Sequence, residues 1–166
     1  FCSRPFTTLV SGAEGRTFIC DCPAYVPIAT GNLVYSKSAD DVWNSAVAQE
    51  IRRSVLDGDY SYCSRTLCGL IREDLLPRNE DITDPVLRKV IDNHLTKLES
   101  GPSTVQLSHD PSCNLACPSC RSEIITLKNT ELATYEAARD RVVMPLLART
   151  KGTVMLSGGG DPFASK

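Results

Sequence analysis

No apolar run in this 166-residue chain approaches the roughly 18–20 residues needed to cross a bilayer. No basic stretch followed by an apolar one opens it, so nothing reads as a secretion signal. The expectation from both is a cytoplasmic protein with no membrane partner. Excess charge of one sign is missing too: 18 Lys and Arg against 20 Asp and Glu leave a formal net charge of −2. A general nucleic-acid binder carries a basic surface, so that class is set aside. A small molecule or a peptide remains as a partner. There is no internal repeat and no low-complexity tract. An initiator Met is also lacking, since the chain opens on Phe1. The expectation is a piece of a longer protein.

Cysteine is what the chain has in quantity. There are eight: Cys2, Cys20, Cys22, Cys63, Cys68, Cys113, Cys117 and Cys120. An even number can mean disulfides in a small secreted domain. Here the chain is longer than such scaffolds, and the cysteines fall into pairs and a triplet, a ligand-like distribution. Thiolates are soft ligands that suit iron–sulfur clusters and zinc.

The first five cysteines lie in residues 1–76. Phe6–Val10 and Arg16–Cys20 are β-prone runs around Ser11-Gly12-Ala13-Glu14-Gly15, which reads as a hairpin with a loop longer than two residues. After the Gly31-Asn32-Leu33 turn, Ser38 caps a helix with Asp40 and Asp41 in its first turn. Val42, Trp43, Ala46, Val47, Ile51 and Val55 give it an apolar stripe, and Asp57-Gly58 ends it. Trp43 reads as core. Cys63 and Cys68 follow in a loop at C-x4-C spacing.

Residues 77–83 read as a linker. Asp84-Pro85 starts a second helix with Pro at the first helical position and Leu87, Val90, Ile91, Leu95 and Leu98 on its buried side. Gly101-Pro102 closes it, and His94 borders its stripe as a packed or half-exposed side chain.

Thr104–Ser108 reads as a strand running into Cys113-Asn114-Leu115-Ala116-Cys117-Pro118-Ser119-Cys120. A helix around 130–149 follows, capped by Thr130 and kinked or broken at Pro145. Thr153–Leu156 reads as a buried strand before Ser157-Gly158-Gly159-Gly160-Asp161-Pro162. Strand, cysteine loop, helix and strand form a βαβ unit, which implies a parallel sheet. Three thiolates at C-x3-C-x2-C spacing can hold three corners of a 4Fe–4S cube and leave one iron open. His109 with the same cysteines offers a four-ligand zinc site instead.

The triplet after a first strand, with Gly159-Gly160-Asp161-Pro162 one crossover later, resembles the radical S-adenosylmethionine (radical SAM) superfamily. Two departures stand out: Ser119 replaces the family's frequent aromatic residue before the third cysteine, and Asp161 replaces the commoner Glu. The resemblance implies that Cys113, Cys117 and Cys120 hold a 4Fe–4S cluster and that Gly159, Gly160 and Asp161 bind the amino group of SAM. It further implies cleavage of SAM to a 5′-deoxyadenosyl radical, an electron donor protein, and a partial (β/α)6 barrel. Residues 103–166 would supply only the first βαβ portion of that barrel, so the chain is expected to be inactive alone.

The succession Cys2, Gly15-x4-Cys20, Cys22-Pro23, Gly31-Asn32-Leu33, Val42-Trp43-Asn44, Ala48-Gln49-Glu50-Ile51-Arg52 and Cys63-x4-Cys68 resembles the SPASM/Twitch auxiliary-cluster domains. That implies a second 4Fe–4S cluster on Cys2, Cys20 (or Cys22), Cys63 and Cys68. The domain usually follows the barrel, whereas here it precedes the triplet. The expected fold class is α/β, with α+β character in the N-terminal part. The expected organisation is a hairpin-and-helix domain over 1–76, a linker and helix over 77–102, and the barrel portion over 103–166. The competing readings are a non-catalytic zinc-binding interaction module and a redox carrier without SAM.

Overall fold

A computed structural model describes residues 1–156, 160 and 161. It is a mixed α/β structure built on one five-stranded sheet in the order β3-β2-β1-β4-β5. A single helical turn, α1 (Arg4–Thr7), leads into β1 (Thr8–Ser11), which pairs antiparallel with β2 (Arg16–Phe18). This is the expected hairpin. Glu14 (φ 58°) and Gly15 (φ 80°) turn the chain in the left-handed region. A Cβ on Gly15 would stand 2.8 Å from Val34 Cγ2, so glycine is required twice over.

The Gly31-Asn32 step forms the short edge strand β3 (Gly31–Asn32) against β2. Asn32 ties the corner: its side chain donates to Glu14 O at 2.9 Å and accepts from Val34 N at 2.8 Å.

The helix expected over 38–57 is two helices, α2 (Asp40–Trp43) and α3 (Ala46–Leu56). Ser38 and Asp41 do exchange reciprocal capping bonds. The break comes because Ser45 caps a new start, accepting from Ala48 N at 3.1 Å. Asn44 meanwhile turns its side chain to Leu98, donating to its O at 2.8 Å and accepting from its N at 2.9 Å. Gly58 (φ 75°) ends α3 in a Schellman motif, with Gly58 N bonding Val55 O and Asp59 N bonding Ser54 O.

α4 (Gly69–Arg72) is one turn, and a 3-10 turn occupies 79–81. α5 (Pro85–Asp92) starts as expected, with Asp84 accepting from Val86 N and Leu87 N, both at 2.9 Å. It stops well short of Gly101. His94 adopts φ 53°, and His94 N bonds Ile91 O while Leu95 N bonds Val90 O. A left-handed histidine thus does what glycine usually does at a helix end.

β4 (Thr104–Leu107) pairs parallel with β1, and β5 (Thr153–Leu156) pairs parallel with β4. The strands of the expected βαβ unit are therefore adjacent and parallel. The hairpin sheet and this parallel pair are continuous through the Thr8–Thr104 register. The crossover helix begins at Asn129, a residue ahead of Thr130, and no side chain caps it. It runs as α6 (Asn129–Ala138), a π-helical turn over Arg139–Val143, and α7 (Met144–Ala148). Pro145 has no N–H to give the preceding turn, and the wider π turn accommodates it. β5 departs from expectation: all four of its residues are exposed. Only β4 pairs with it among the described residues, so it is an edge strand rather than a buried one.

One core fills the inner face. Phe6, Leu9, Ile19, Leu33, Val42, Trp43 and Ile51 pack with Val90, Leu98, Val105, Val142 and Leu146. Each such side chain stabilises by roughly 1.5–3 kcal/mol on burial. Arg52 is fully buried at its centre. Its guanidinium donates to Pro5 O, Asn44 Oδ1, Thr96 O and Trp43 O and lies 4.4 Å over the Trp43 ring. Burial pushes it down to about 9, still charged at neutral pH.

Candidate metal centre

Four thiols far apart in sequence reach one cavity of about 290 Å³, lined by Cys2, Cys20, Cys63 and Cys68 together with Arg4, Tyr25 and apolar side chains from 70 to 76. Cys2 stands just before α1, and Cys20 just after β2. Cys63 lies in the loop that leaves α3, and Cys68 is the residue before α4.

Backbone bonds hold these positions. Cys63 N bonds Tyr60 O at 2.9 Å, with Tyr60 at φ 51°. Ser64 N bonds Tyr25 O at 2.7 Å, which ties the Cys63 loop to the segment after Cys20. Cys68 N bonds Ser64 O at 3.0 Å. The Phe1 amino group donates to Pro77 O, closing the chain around Cys2. Arg52 Nε holds α1 through Pro5 O at 2.8 Å.

Burial, with Cys2, Cys20 and Cys68 adding to it, pushes Cys63 up to about 12. Burial likewise raises Cys2 and Cys20, and Cys68 adds to both. Mutual repulsion of this kind marks a buried space that suits bound cations. Against burial, a backbone hydrogen bond from Arg4 favours the Cys2 thiolate, and one from Cys22 favours that of Cys20.

The two members of the C-x-C pair are placed differently. The Cys22 thiol is not on the cavity wall, whereas its backbone amide serves Cys20. The resemblance implied Cys20, with Cys22 as its spare or substitute.

The donor set is thiols throughout, and the cavity is about twice the 150 Å³ that accommodates benzene in an engineered protein core. Among the described residues no group of three or more His, Cys, Asp or Glu stands close enough together to hold a metal ion, so the thiols line the space without converging on one point. The space and the ligand type fit a cluster of several irons.

The second cysteine group is more open. Cys113 is buried, and Cys117 and Cys120 are exposed. Cys113 and Ile125 exchange backbone bonds at 2.7 and 3.1 Å, closing the loop at its base. Cys120 N and Arg121 N both bond Cys117 O, making the turn that carries the last two thiols. Arg121 donates to Cys120 Sγ at 3.8 Å and feels all three thiols.

The downstream turn meets this loop directly: Asp161 N bonds Ser112 O at 2.9 Å. A Cβ on Gly160 would fall 2.0 Å from Ser112 O, so only glycine permits the approach. Gly159 and Pro162 lie outside the described residues. His109 does not join the thiols. Its Nδ1 is 3.4 Å from Ser11 Oγ and its ring stacks on Tyr135 with centroids 6.1 Å apart. Burial lowers its pKa.

Residues 2–69 match SPASM, an iron–sulfur cluster-binding domain. The SPASM match begins at Cys2 and ends one residue after Cys68, so it contains every thiol on the cavity. The four thiols of the cavity therefore all lie within residues similar to an iron–sulfur cluster-binding domain. Cys113, Cys117 and Cys120 lie outside the match. No curated protein and no solved structure matches the chain.

Proposed function

We propose that this chain is part of a cytoplasmic radical SAM enzyme whose SPASM region carries an auxiliary 4Fe–4S cluster. The observation that carries the reading is the set of four thiols on one cavity inside the matched SPASM residues, since SPASM domains are typical of radical SAM enzymes. In this reading Cys2, Cys20, Cys63 and Cys68 hold the auxiliary cluster. Cys113, Cys117 and Cys120 hold a second 4Fe–4S cluster with one iron open to SAM. When bound, that cluster and SAM supply the one-electron cleavage that gives a 5′-deoxyadenosyl radical.

The residues of this chain bind and orient. The Cys113–Ile125 closure presents two exposed thiols on a turn. The Gly160-Asp161 backbone is pressed on Ser112 at the base of the cysteine loop, and the Asp161 carboxylate would complement the SAM ammonium. An electron donor protein and a small-molecule or peptide substrate complete the proposal.

Anaerobic reconstitution followed by iron, sulfide and zinc analysis tests this. Two clusters per chain are expected, one of them lost when Cys113→Ala and Cys117→Ala are combined. Stoichiometric zinc without sulfide overturns the reading in favour of a structural zinc module.

A further inference from the structure

Arg4 is the one cation among the described residues on the wall of the four-thiol cavity. Its guanidinium is ion-paired with Asp21, the residue between Cys20 and Cys22. Asp21 does not line the cavity, so the positive member of the pair is the one turned to the thiols. Its charge acts on two of them, Cys2 and Cys20. Glu73, the acidic residue on the wall, is paired away with Arg72 at 2.7 Å. The backbone under Arg4 is held from two sides. Pro5 O accepts from buried Arg52 at 2.8 Å, and Thr7 Oγ1 donates to Ser3 O at 3.0 Å.

We propose that Arg4, anchored by Asp21, is a positioning residue whose positive charge offsets the negative charge of the thiolate-bound auxiliary cluster and raises its reduction potential. The proposal rests on the cluster reading above. Four thiolates leave an iron–sulfur cube with net negative charge, and reduction adds one more electron. A cation on the wall of the cavity that holds the cluster lowers the cost of that electron. Asp21 fixes where the guanidinium sits, as outer groups orient ligands at other metal sites.

The test uses the full chain with Cys113, Cys117 and Cys120 all changed to Ala, so that one cluster reports. Iron and sulfide are measured first, then the potential by dye-mediated dithionite titration with electron paramagnetic resonance. If this parent binds no iron and sulfide, the cluster reading fails, and Arg4 is not what failed. Given a cluster, Arg4→Gln is expected to retain iron and show at least a tenfold lower reduced-to-oxidised ratio at fixed potential, a shift of about 59 mV to more negative values. Arg4→Lys, which keeps the charge, is expected to restore most of it. If Arg4→Gln loses iron and Arg4→Lys keeps it, the charge serves assembly rather than potential, and the proposal is overturned. It is also overturned by an unchanged potential in iron-loaded Arg4→Gln, by equal shifts in both variants, or by loss of iron in both.

Discussion

Cys22 and Cys63 show how differently two cysteines of one region can serve a site. Cys63 is on the cavity and its thiol is pushed up by burial and by three neighbouring thiols. Cys22 contributes a backbone amide to Cys20 while its own thiol stands off the cavity. Cys22→Ser keeps that amide, so it is expected to load the proposed N-terminal cluster as the parent does. Cys63→Ala is expected to lose it. Iron and sulfide per chain, with cluster absorbance, check both. His109 gives a pH dependence. Burial between Ser11 and Tyr135 lowers its pKa below 6.5, with Asp110 working weakly against the shift. The unfolded chain therefore binds the proton more readily, so the stability tied to neutral His109 is present above pH 6.5 and lost as pH falls below it. The urea midpoint of the parent should drop on acidification more than that of His109→Gln. Equal slopes would remove His109 from the account.

At the scale of elements, capping decides where helices begin and end more than apolar spacing does. The run Val42 to Val55 has one continuous stripe, yet Ser45 restarts the helix because its hydroxyl satisfies Ala48 N. Asn44 leaves the helix to bond both backbone groups of Leu98. These bonds join α2 to the segment after α5, a tie that periodicity cannot foresee. Asp84 is the simplest cap to test, because its carboxylate serves two amides and is exposed. Asp84→Ala is expected to cost about 1 kcal/mol in urea unfolding, without changing cluster content. The crossover helix was readable around Pro145, but not its mode of accommodation. The π turn just before Pro145 leaves Arg141 free to bond Ser36 O and Val34 O, both at 2.8 Å. That pins the crossover to the loop after β3.

For the whole molecule the decisive feature is the parallel pairing of β1 with β4. It makes one sheet and one core of two stretches whose motifs read separately. Val105 and Leu146, from beyond residue 103, are as fully buried as Leu9 and Ile51. A chain of residues 1–76 alone loses β4 from the middle of the sheet and opens the core under α3. It is expected to unfold without a sharp transition, or to associate through the bare β1 edge. Circular dichroism melts and light scattering check this. A cooperative, monomeric 1–76 would show that the N-terminal stretch folds by itself.

The sequence by itself determined the chemistry: eight cysteines at ligand-like spacings, the hairpin, the parallel pair before and after the crossover helix, and glycines where the chain must approach itself closely. Those are local properties, set by residue type and spacing. The resemblance pointed to Cys2, Cys20 (or Cys22), Cys63 and Cys68, and only tertiary structure decided that Cys20 and not Cys22 lines their shared space. Cys2, Cys20, Cys63 and Cys68 meet because a hairpin, a capped helix and a loop are held together by Arg52 and by the Ser64–Tyr25 bond. It also decided that the Gly160-Asp161 turn rests on the base of the cysteine loop, and that β5 stays at an edge. Such contacts bring together residues tens to more than a hundred positions apart. Spacing along the chain carries no information about that closure, which depends on how the packed core orients each loop.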